Sequence, residues 1–288
     1  MPSASMAGAK EGMVPPKAEW LESSLVRRIL SALVLGPPVL AIVWYGGALY
    51  YLLILLVAVQ MAYEWSRMCG SGTVGPGGRV VIGAVLVAMA MTSWLDLSWG
   101  VVAVLAGSLV AYIGARIEGA AEPRWLTLGV LAVGAPAIAL LWLRADLDQG
   151  RAICLWLVLT VWATDIGAYA VGRSIGGPRL APRISPNKTW AGLAGGMVAA
   201  ALVGWSAGEI VGSPSPALLL FVGAGLAVVA QLGDLSKSVV KRHFGVKDAG
   251  QLIPGHGGLL DRADGFITAA PAVAVLSLIA GRSLLQWP

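Results

Sequence analysis

Apolar residues form long unbroken runs in this chain, and short polar stretches separate one run from the next. A run such as YYLLILLVAV, at residues 50–59, does not alternate between polar and apolar positions, so it predicts a helix rather than a half-exposed strand. As a helix, each run measures roughly 25–30 Å, which is the thickness of a bilayer's hydrocarbon core. The nine runs lie at residues 27–46, 48–66, 79–95, 98–114, 125–144, 152–172, 190–212, 216–234 and 265–285.

The composition also favours a membrane protein. Hydrophobic residues make up 57% of the 288 residues, only 12% are charged, and the mean hydropathy is +0.78. A soluble domain carries about a quarter charged residues, so these values argue against an ordinary cytosolic, disordered or fibrous protein. We therefore predict an all-α fold, a polytopic membrane helical bundle with about nine transmembrane helices, and we expect no strands.

The distribution of lysine and arginine predicts the orientation of this bundle. Of the 20 basic residues, all but Arg144, Arg151 and Arg282 fall in the N-terminal tail, at the start of the first run or in four connections. Because positively charged loops stay on the cytoplasmic side of a membrane, we expect the N-terminus and these connections to be cytoplasmic. The four basic connections are near residues 67–79, 115–124, 173–188 and 235–264.

Two stretches differ in composition from the other connections and suggest how the chain is organised. Residues 173–189 and 235–264 concentrate glycine, proline and charge, whereas the other connections are short and plain. We expect a cytoplasmic N-terminal tail at 1–26 and an N-terminal transmembrane region at 27–150. The C-terminal transmembrane region, at 151–288, carries both stretches and is the candidate catalytic region.

Asp165 is a carboxylate deep inside an apolar run. A charge near the bilayer centre costs about 2.5–3.5 kcal/mol on insertion scales, so such a residue normally faces a polar cavity and has a partner. Tyr169 and Arg173 follow on the same helical face. Two interpretations stay open, a functional residue or an internal tether to one of these neighbours. Glu64 and Glu209 lie nearer predicted helix ends, where we expect structural roles at headgroup level.

A polar stripe follows the eighth run into the last large connection. Gln231, Asp234, Ser238 and Lys241 recur at helical spacing, and Arg242 lies beside the last of them. If the helix continues beyond the membrane, the stripe places one carboxylate at the membrane edge and two cations beyond it. A solvated amphipathic helix end would show the same pattern, so the stripe alone leaves both interpretations open.

The connection after the stripe contains candidate ligands for a hard cation. Asp261 and Asp264 share a helical face, and Gly257 and Gly258 let backbone amides approach an anion closely. With Asp234 they make three carboxylates near lysine and arginine, which suits Mg²⁺ bound to phosphate oxygens. The sequence has no HExxH or CxxC motif and only two histidines, so zinc is not indicated. It has no P-loop motif either.

The stretch that ends at Asp264 resembles the signature of the phosphatidate cytidylyltransferase family, also called CDP-diacylglycerol synthases. That signature contains a serine, a Lys-Arg pair, a Lys-Asp pair, His-Gly-Gly and Asp-Arg-x-Asp. Ala263 departs from it, because the family usually has a larger apolar residue or threonine there. The matching positions are Ser238, Lys241, Arg242, Lys247, Asp248, His256, Gly257, Gly258, Asp261, Arg262 and Asp264.

A second stretch resembles the same family. DIGAYAVGRSIG at residues 165–176 and ISPNKTWAG at residues 184–192 are similar to its Asp-x-x-Ala-Tyr-x-x-Gly-Arg and Ser-Pro-x-Lys-Thr-x-x-Gly segments. Many bacterial members have lysine where this chain has Asn187 and glutamate where it has Ala191. We therefore assign no catalytic role to Ala191.

The resemblance implies an enzyme that condenses CTP with phosphatidate into CDP-diacylglycerol and pyrophosphate. It implies a multi-pass protein of the bacterial cytoplasmic membrane, a site that faces the cytoplasm, and a possible homodimer. The implied catalytic residues are Asp234, Lys241, Asp261 and Asp264, with the three aspartates as Mg²⁺ ligands. The metal count stays open between one Mg²⁺ and a pair of cations, one of them monovalent.

The remaining candidates are expected to bind the substrates, chiefly through their phosphate groups. They are Asp165, Arg173, Ser185, Lys188, Thr189, Ser238, Arg242, Lys247, His256, Gly257, Gly258 and Arg262. Two alternatives stay open. One is a CTP-dependent polyprenol or phytol kinase, which would release CDP, and the other is an ion-coupled transporter with Asp165 and Asp234 as coupling residues. No nucleic-acid partner is expected.

Overall fold

A computed structural model describes residues 24–70, 72–120, 122–250, 257–281 and 283–287. Within these residues nine α-helices form, and they confirm the all-α prediction. They are α1 (Ser24–Tyr45), α2 (Gly47–Cys69), α3 (Pro76–Trp94), α4 (Leu97–Ile117), α5 (Pro123–Ala145), α6 (Gly150–Ile175), α7 (Trp190–Val211), α8 (Pro216–His243) and α9 (Asp264–Ala280). A short 3₁₀ helix, Leu284–Gln286, follows α9.

Local sequence signals account for several helix starts. Pro76, Pro123 and Pro216 occupy the first turns of α3, α5 and α8, where the missing N–H of proline costs nothing. Asp96 caps α4, because its Oδ1 accepts hydrogen bonds from the N–H groups of Ser98 and the following residue at 2.7 and 3.2 Å.

Seven of the described helices, α2 to α8, are long and apolar enough to cross a membrane. The protein is therefore a multi-pass membrane protein. Helix α9 has 17 residues and falls below that length, and the part of α1 whose side chains are described contains the apolar stretch Leu33–Tyr45. The two shortest predicted runs, which could have formed one broken pair, are the separate helices α3 and α4, and they pack against each other.

A small hairpin interrupts the helices between α6 and α7. Strand β1 (Arg179–Ala181) pairs antiparallel with β2 (Ser185–Thr189), and the register is irregular between its two paired positions. The expectation of no strands is therefore wrong. Apolar periodicity does not reveal these strands, because the segment is polar and both strands are short.

Small residues let α6, α7 and α8 pack closely. A Cβ atom at Gly195 would overlap the side chain of Val171, and one at Gly196 would lie 2.9 Å from the carbonyl oxygen of Thr164. The glycines of α7 therefore bring its backbone against α6, as the small residues at 191–200 predict. Helix α9 packs on both α8 and α5 and so joins the two halves of the chain.

Contacts join the four basic connections at one end of the bundle. The carboxylate of Glu118 accepts a hydrogen bond from the N–H of Gly77 at 3.1 Å, which links the first and second connections. Glu122 pairs with His243 Nε2 at 2.9 Å, which links the second connection to the end of α8. Arg242 donates to a carbonyl of the hairpin connection at 3.4 Å. The connections predicted to share one side of the membrane therefore do lie together.

Candidate functional site

A buried lysine lies among the aspartates that the sequence singles out. Lys237 is one turn beyond Asp234 on α8, and its side chain is only 2% exposed. Its Nζ lies 2.6 Å from Asp264 Oδ2, 3.1 Å from Asp261 Oδ1 and 3.7 Å from Asp234 Oδ1. Carboxylates from α8, from α9 and from the loop before α9 therefore converge on one ammonium. We call these four residues the acid–lysine cluster.

Asp261 is the most fully bonded carboxylate of this cluster. Its Oδ1 also pairs with Lys241 at 2.7 Å, and its Oδ2 accepts the N–H groups of Ala249 at 2.9 Å and Gly258 at 3.3 Å. Burial raises the pKa of this carboxyl, but the charge of Lys237 and these hydrogen bonds outweigh burial and hold its pKa below the ordinary value. Asp261 is therefore an anion at neutral pH.

Lys188 connects the hairpin to the same cluster. It lies on β2, and its ammonium forms an ion pair with Asp234 and donates to the buried side chain of Gln231 at 2.6 Å. The carboxyl groups of Asp234 and Asp264 also lie within hydrogen-bonding reach of each other. The two stretches with separate sequence signatures therefore meet at one site.

Glu64, near the end of α2, fixes the loop that carries Asp261. Its carboxylate is buried and accepts the N–H groups of Leu259 at 3.0 Å and Leu260 at 2.8 Å. A Cβ atom at Gly258 would overlap this carboxylate, so glycine is required for the close approach. The expected structural role of Glu64 is supported, but its expected place at headgroup level is wrong, because the side chain points into the protein.

Asp165 lies on the exposed surface of α6 and interacts electrostatically with Lys188, Asp234 and Arg262. Among the described side chains, no hydrogen bond or ion pair joins Asp165 to Tyr169 or Arg173. Arg173 instead donates to the Tyr169 hydroxyl at 3.3 Å. The tether interpretation therefore finds no support. The charge interactions of Asp165 are instead with the acid–lysine cluster and the basic residues beside it.

The other predicted site residues are spread around the cluster. Thr189 is buried, and its hydroxyl accepts the N–H of Gly192 at 3.0 Å, so it caps α7. His256 lies outside the described residues. Ser185 and Ser238 are half-buried, Gly257 has φ +80° beside Asp261, and Arg173, Arg242, Lys247 and Arg262 are exposed. Their predicted contacts with substrate stay predictions.

The acid–lysine cluster suits a hard cation in its chemistry. Its donors are carboxylate oxygens, which Mg²⁺ prefers, and an ammonium already lies between them. Within the described ranges, no three aspartate, glutamate, histidine or cysteine side chains are arranged as a ready ligand set. A bound cation would therefore share the carboxylates with Lys237 or displace its ammonium.

Sequence reasoning missed Lys237, the residue with the most ion pairs at the described site. A signal for it was present, since Asp234, Lys237 and Lys241 follow at i, i+3 and i+7 and share one helical face. The polar stripe predicted from the sequence passes through Ser238 instead of Lys237. The contact of Glu64 had no such signal, because its partners lie 195 and 196 residues further along the chain.

The fold and this site define a multi-pass helical membrane protein with a buried carboxylate–lysine site at one end of its bundle. The chain belongs to the cytidylyltransferase family, whose sequence profile matches residues 26–280. This match covers all nine described α-helices except the first two residues of α1.

Individual relatives carry a more specific name. The chain is similar to the phosphatidate cytidylyltransferase of Brucella suis, with 37% identity over 270 residues that cover 89% of this chain and 94% of the relative. It is 37% identical to that of Pseudomonas aeruginosa over 269 residues, with 89% and 98% covered. The Rickettsia bellii protein of the same name is 32% identical over 258 residues, with 87% and 89% covered.

Proposed function

We propose that this protein is a phosphatidate cytidylyltransferase, which condenses CTP with phosphatidate into CDP-diacylglycerol and pyrophosphate. The observation that carries this proposal is the ion pair between Lys188 and Asp234. It brings the two stretches with a family signature to one charged cluster. Relatives that bear this name match most of the chain, and they support the same conclusion.

The chemistry of the reaction needs charge and position more than a strong base. A phosphate oxygen of phosphatidate, anionic near neutral pH, forms the new bond to the α-phosphorus of CTP. The bond from this phosphorus to the bridging oxygen breaks, and pyrophosphate leaves with the bonding electrons. Fixed cations that hold the phosphates in line contribute most to such transfers.

Basic residues around the cluster supply these fixed charges. We propose that Lys188, Lys241 and Arg242 contact the lipid phosphate or the triphosphate, the lysines as point charges and the arginine as a two-pronged donor. Lys188 and Lys241 are now paired with Asp234 and Asp261, so each would share or exchange its carboxylate when phosphate binds. Lys237 is buried and would hold the aspartates in place.

Asp234 and Asp261 would hold Mg²⁺, with Asp264 assisting, and the all-oxygen donor set supports this assignment. When bound, the cation would neutralise charge on the triphosphate and on the leaving pyrophosphate. A second, monovalent cation is compatible with the three carboxylates. Titration of the purified protein with Mg²⁺ and with Mn²⁺, followed by calorimetry, measures the number of ions bound.

We propose that the cluster end of the bundle faces the cytoplasm in the bacterial inner membrane. All the basic connections described above gather at this end, and CTP is a cytoplasmic nucleotide. The exposed side of α6 at Asp165 would then open towards the lipid, where phosphatidate is held by its acyl chains. Labelling the cysteine of Lys247→Cys in intact cells and in inverted vesicles tests the orientation. Light scattering of the purified protein tests whether it forms the homodimer that the family resemblance allows.

The decisive experiment supplies purified protein with labelled CTP and phosphatidate, with and without Mg²⁺, and measures both products. Lipid-linked cytidine and pyrophosphate in equal amounts would support the proposal. Release of CDP with a phosphorylated lipid alcohol would identify a kinase instead. Ion flux in proteoliposomes without nucleotide would favour a transporter.

Asp261→Asn is the matched inactive variant for this assay. It keeps the size of the side chain but removes the anion that pairs with two lysines. We expect no measurable turnover at a temperature below the unfolding midpoint of the variant, which is measured in parallel. Full activity in this variant would exclude Asp261 as a metal ligand.

A further inference from the structure

A second candidate site lies at the other end of the bundle from the acid–lysine cluster. It is a cavity of about 730 Å³ between the start of α6, the end of α7 and the turn after α1. Ligand-binding pockets commonly have about 300–1,000 Å³. None of the residues in the proposed reaction lines this cavity, so it is separate from that site.

Two arginines stand at the mouth of the cavity. Arg144 donates to the carbonyls of Val43 at 3.1 Å and Trp44 at 3.2 Å, which leaves three of its five N–H groups for other acceptors. Gly46 makes room for this side chain, since a Cβ atom at Gly46 would overlap the guanidinium of Arg144. Arg151 lies over the Trp44 ring, with its guanidinium carbon 4.8 Å from the centroid.

Charge at the mouth favours an anion. Asp148 is the one acidic residue among the described lining residues, against the two guanidiniums of Arg144 and Arg151. These two arginines are among the three basic residues that lie outside the N-terminal tail and the connections predicted to be cytoplasmic. Their position at this end therefore does not follow from membrane orientation and needs another reason.

The walls below the mouth are apolar. Leu155 and Leu159 of α6 and Leu202 and Val203 of α7 line the cavity. Lining positions extend over nine residues of α6 and ten of α7, which corresponds to a depth of roughly 12–14 Å. This is close to the hydrocarbon depth of one leaflet, about 15 Å. An occupant with a charged head and an acyl chain matches this shape.

We propose that this cavity binds one anionic phospholipid from the leaflet opposite the acid–lysine cluster. Arg144 and Arg151 would bind its phosphate, and one acyl chain would lie between α6 and α7. The bound lipid would be a fixed component of the protein rather than a substrate.

Native mass spectrometry of the purified full chain in detergent tests this proposal with added phosphatidylglycerol or phosphatidylcholine. We expect one retained phosphatidylglycerol and a preference for it over phosphatidylcholine. Arg151→Gln should weaken its apparent affinity about tenfold, because it removes a charge-assisted contact. Arg116→Gln removes an exposed arginine at the other end of the bundle and should bind as the wild type does.

A second pair of variants tests the acyl-chain groove without changing charge. Ala207→Trp would fill the cavity and should abolish the retained lipid, whereas Ala106→Trp, on the exposed face of α4, should leave it bound. Unchanged binding in both Arg151→Gln and Ala207→Trp would overturn the proposal, and so would equal retention of the two lipids. Because the readout is lipid binding, failure here would leave the proposed enzymatic activity untouched.

Discussion

Replacing Lys237 by methionine should destabilise the protein and make its stability depend on added Mg²⁺. Methionine keeps nearly the length and volume of lysine but removes the ammonium on which three carboxylates converge. Those carboxylates would then face one another with less compensating charge. A divalent cation can supply that charge, so we expect Mg²⁺ to restore part of the lost stability.

The structure sets the size of this effect. At 2.6–3.7 Å, each pair of unit charges interacts by about 4–6 kcal/mol at an effective dielectric constant of about 20. Burial of the 2%-exposed ammonium offsets much of this, because its hydration is lost. Removing one partner from a buried ion pair typically costs about 3–5 kcal/mol, and we expect Lys237→Met to fall in this range.

Thermal unfolding in detergent, followed by tryptophan fluorescence, measures this prediction. The protein has 12 tryptophans, and Lys247→Met, at an exposed position in the connection after α8, is the matched control. We expect the control to unfold at the wild-type temperature and Lys237→Met to unfold several degrees lower in chelator, with partial recovery in Mg²⁺. If Lys237→Met unfolds like its control in chelator, the lysine does not hold the carboxylates together.

Three further predictions concern the loop and the charges around it. Gly258→Ala should lower the free energy of unfolding by about 1–3 kcal/mol, because its Cβ would lie 2.7 Å from a backbone nitrogen. Gly75→Ala is the control, since its Cβ would meet open space, and equal unfolding temperatures of the two variants would contradict this packing. Lys241→Ala should lower kcat/KM about 10–100-fold by loss of a charged contact, and wild-type kinetics would exclude its contact with phosphate. Because folding lowers the pKa of Asp261, its ionised carboxylate stabilises the fold above a pH of about 4. This stabilisation is lost as the pH falls through the pKa of the folded state. In chelator, the stability gap between wild type and Asp261→Asn should therefore shrink as the pH falls below about 4, and a constant gap would contradict the lowered pKa.

The helices were predictable because each one buries a continuous apolar run. The run at 152–172 corresponds to Gly150–Ile175, since hydropathy marks where a helix enters and leaves the membrane. The run at 216–234 underestimates α8, which continues to His243. Its last turns are polar, and hydropathy alone cannot separate a polar helix from a loop.

The site was only partly predictable, because its contacts depend on how distant segments fold back. Asp234, Lys241 and Asp261 could be identified from residue type and spacing, and the structure brings all three to one place. The ion pair between Lys188 and Asp234 joins a residue of the hairpin to one on α8. No local pattern encodes such a pairing, and tertiary packing alone determines it.

Glu64 also bears on what would happen if the chain were cut. The carboxylate that holds the segment before α9 belongs to the first half of the sequence. A C-terminal fragment made without α2 would therefore lose the hydrogen bonds that fix this segment. Nicking the turn near Asp146 would leave two pieces that function only after they reassemble. Although its signatures lie in the C-terminal half of the chain, the enzyme would therefore need both halves to be active.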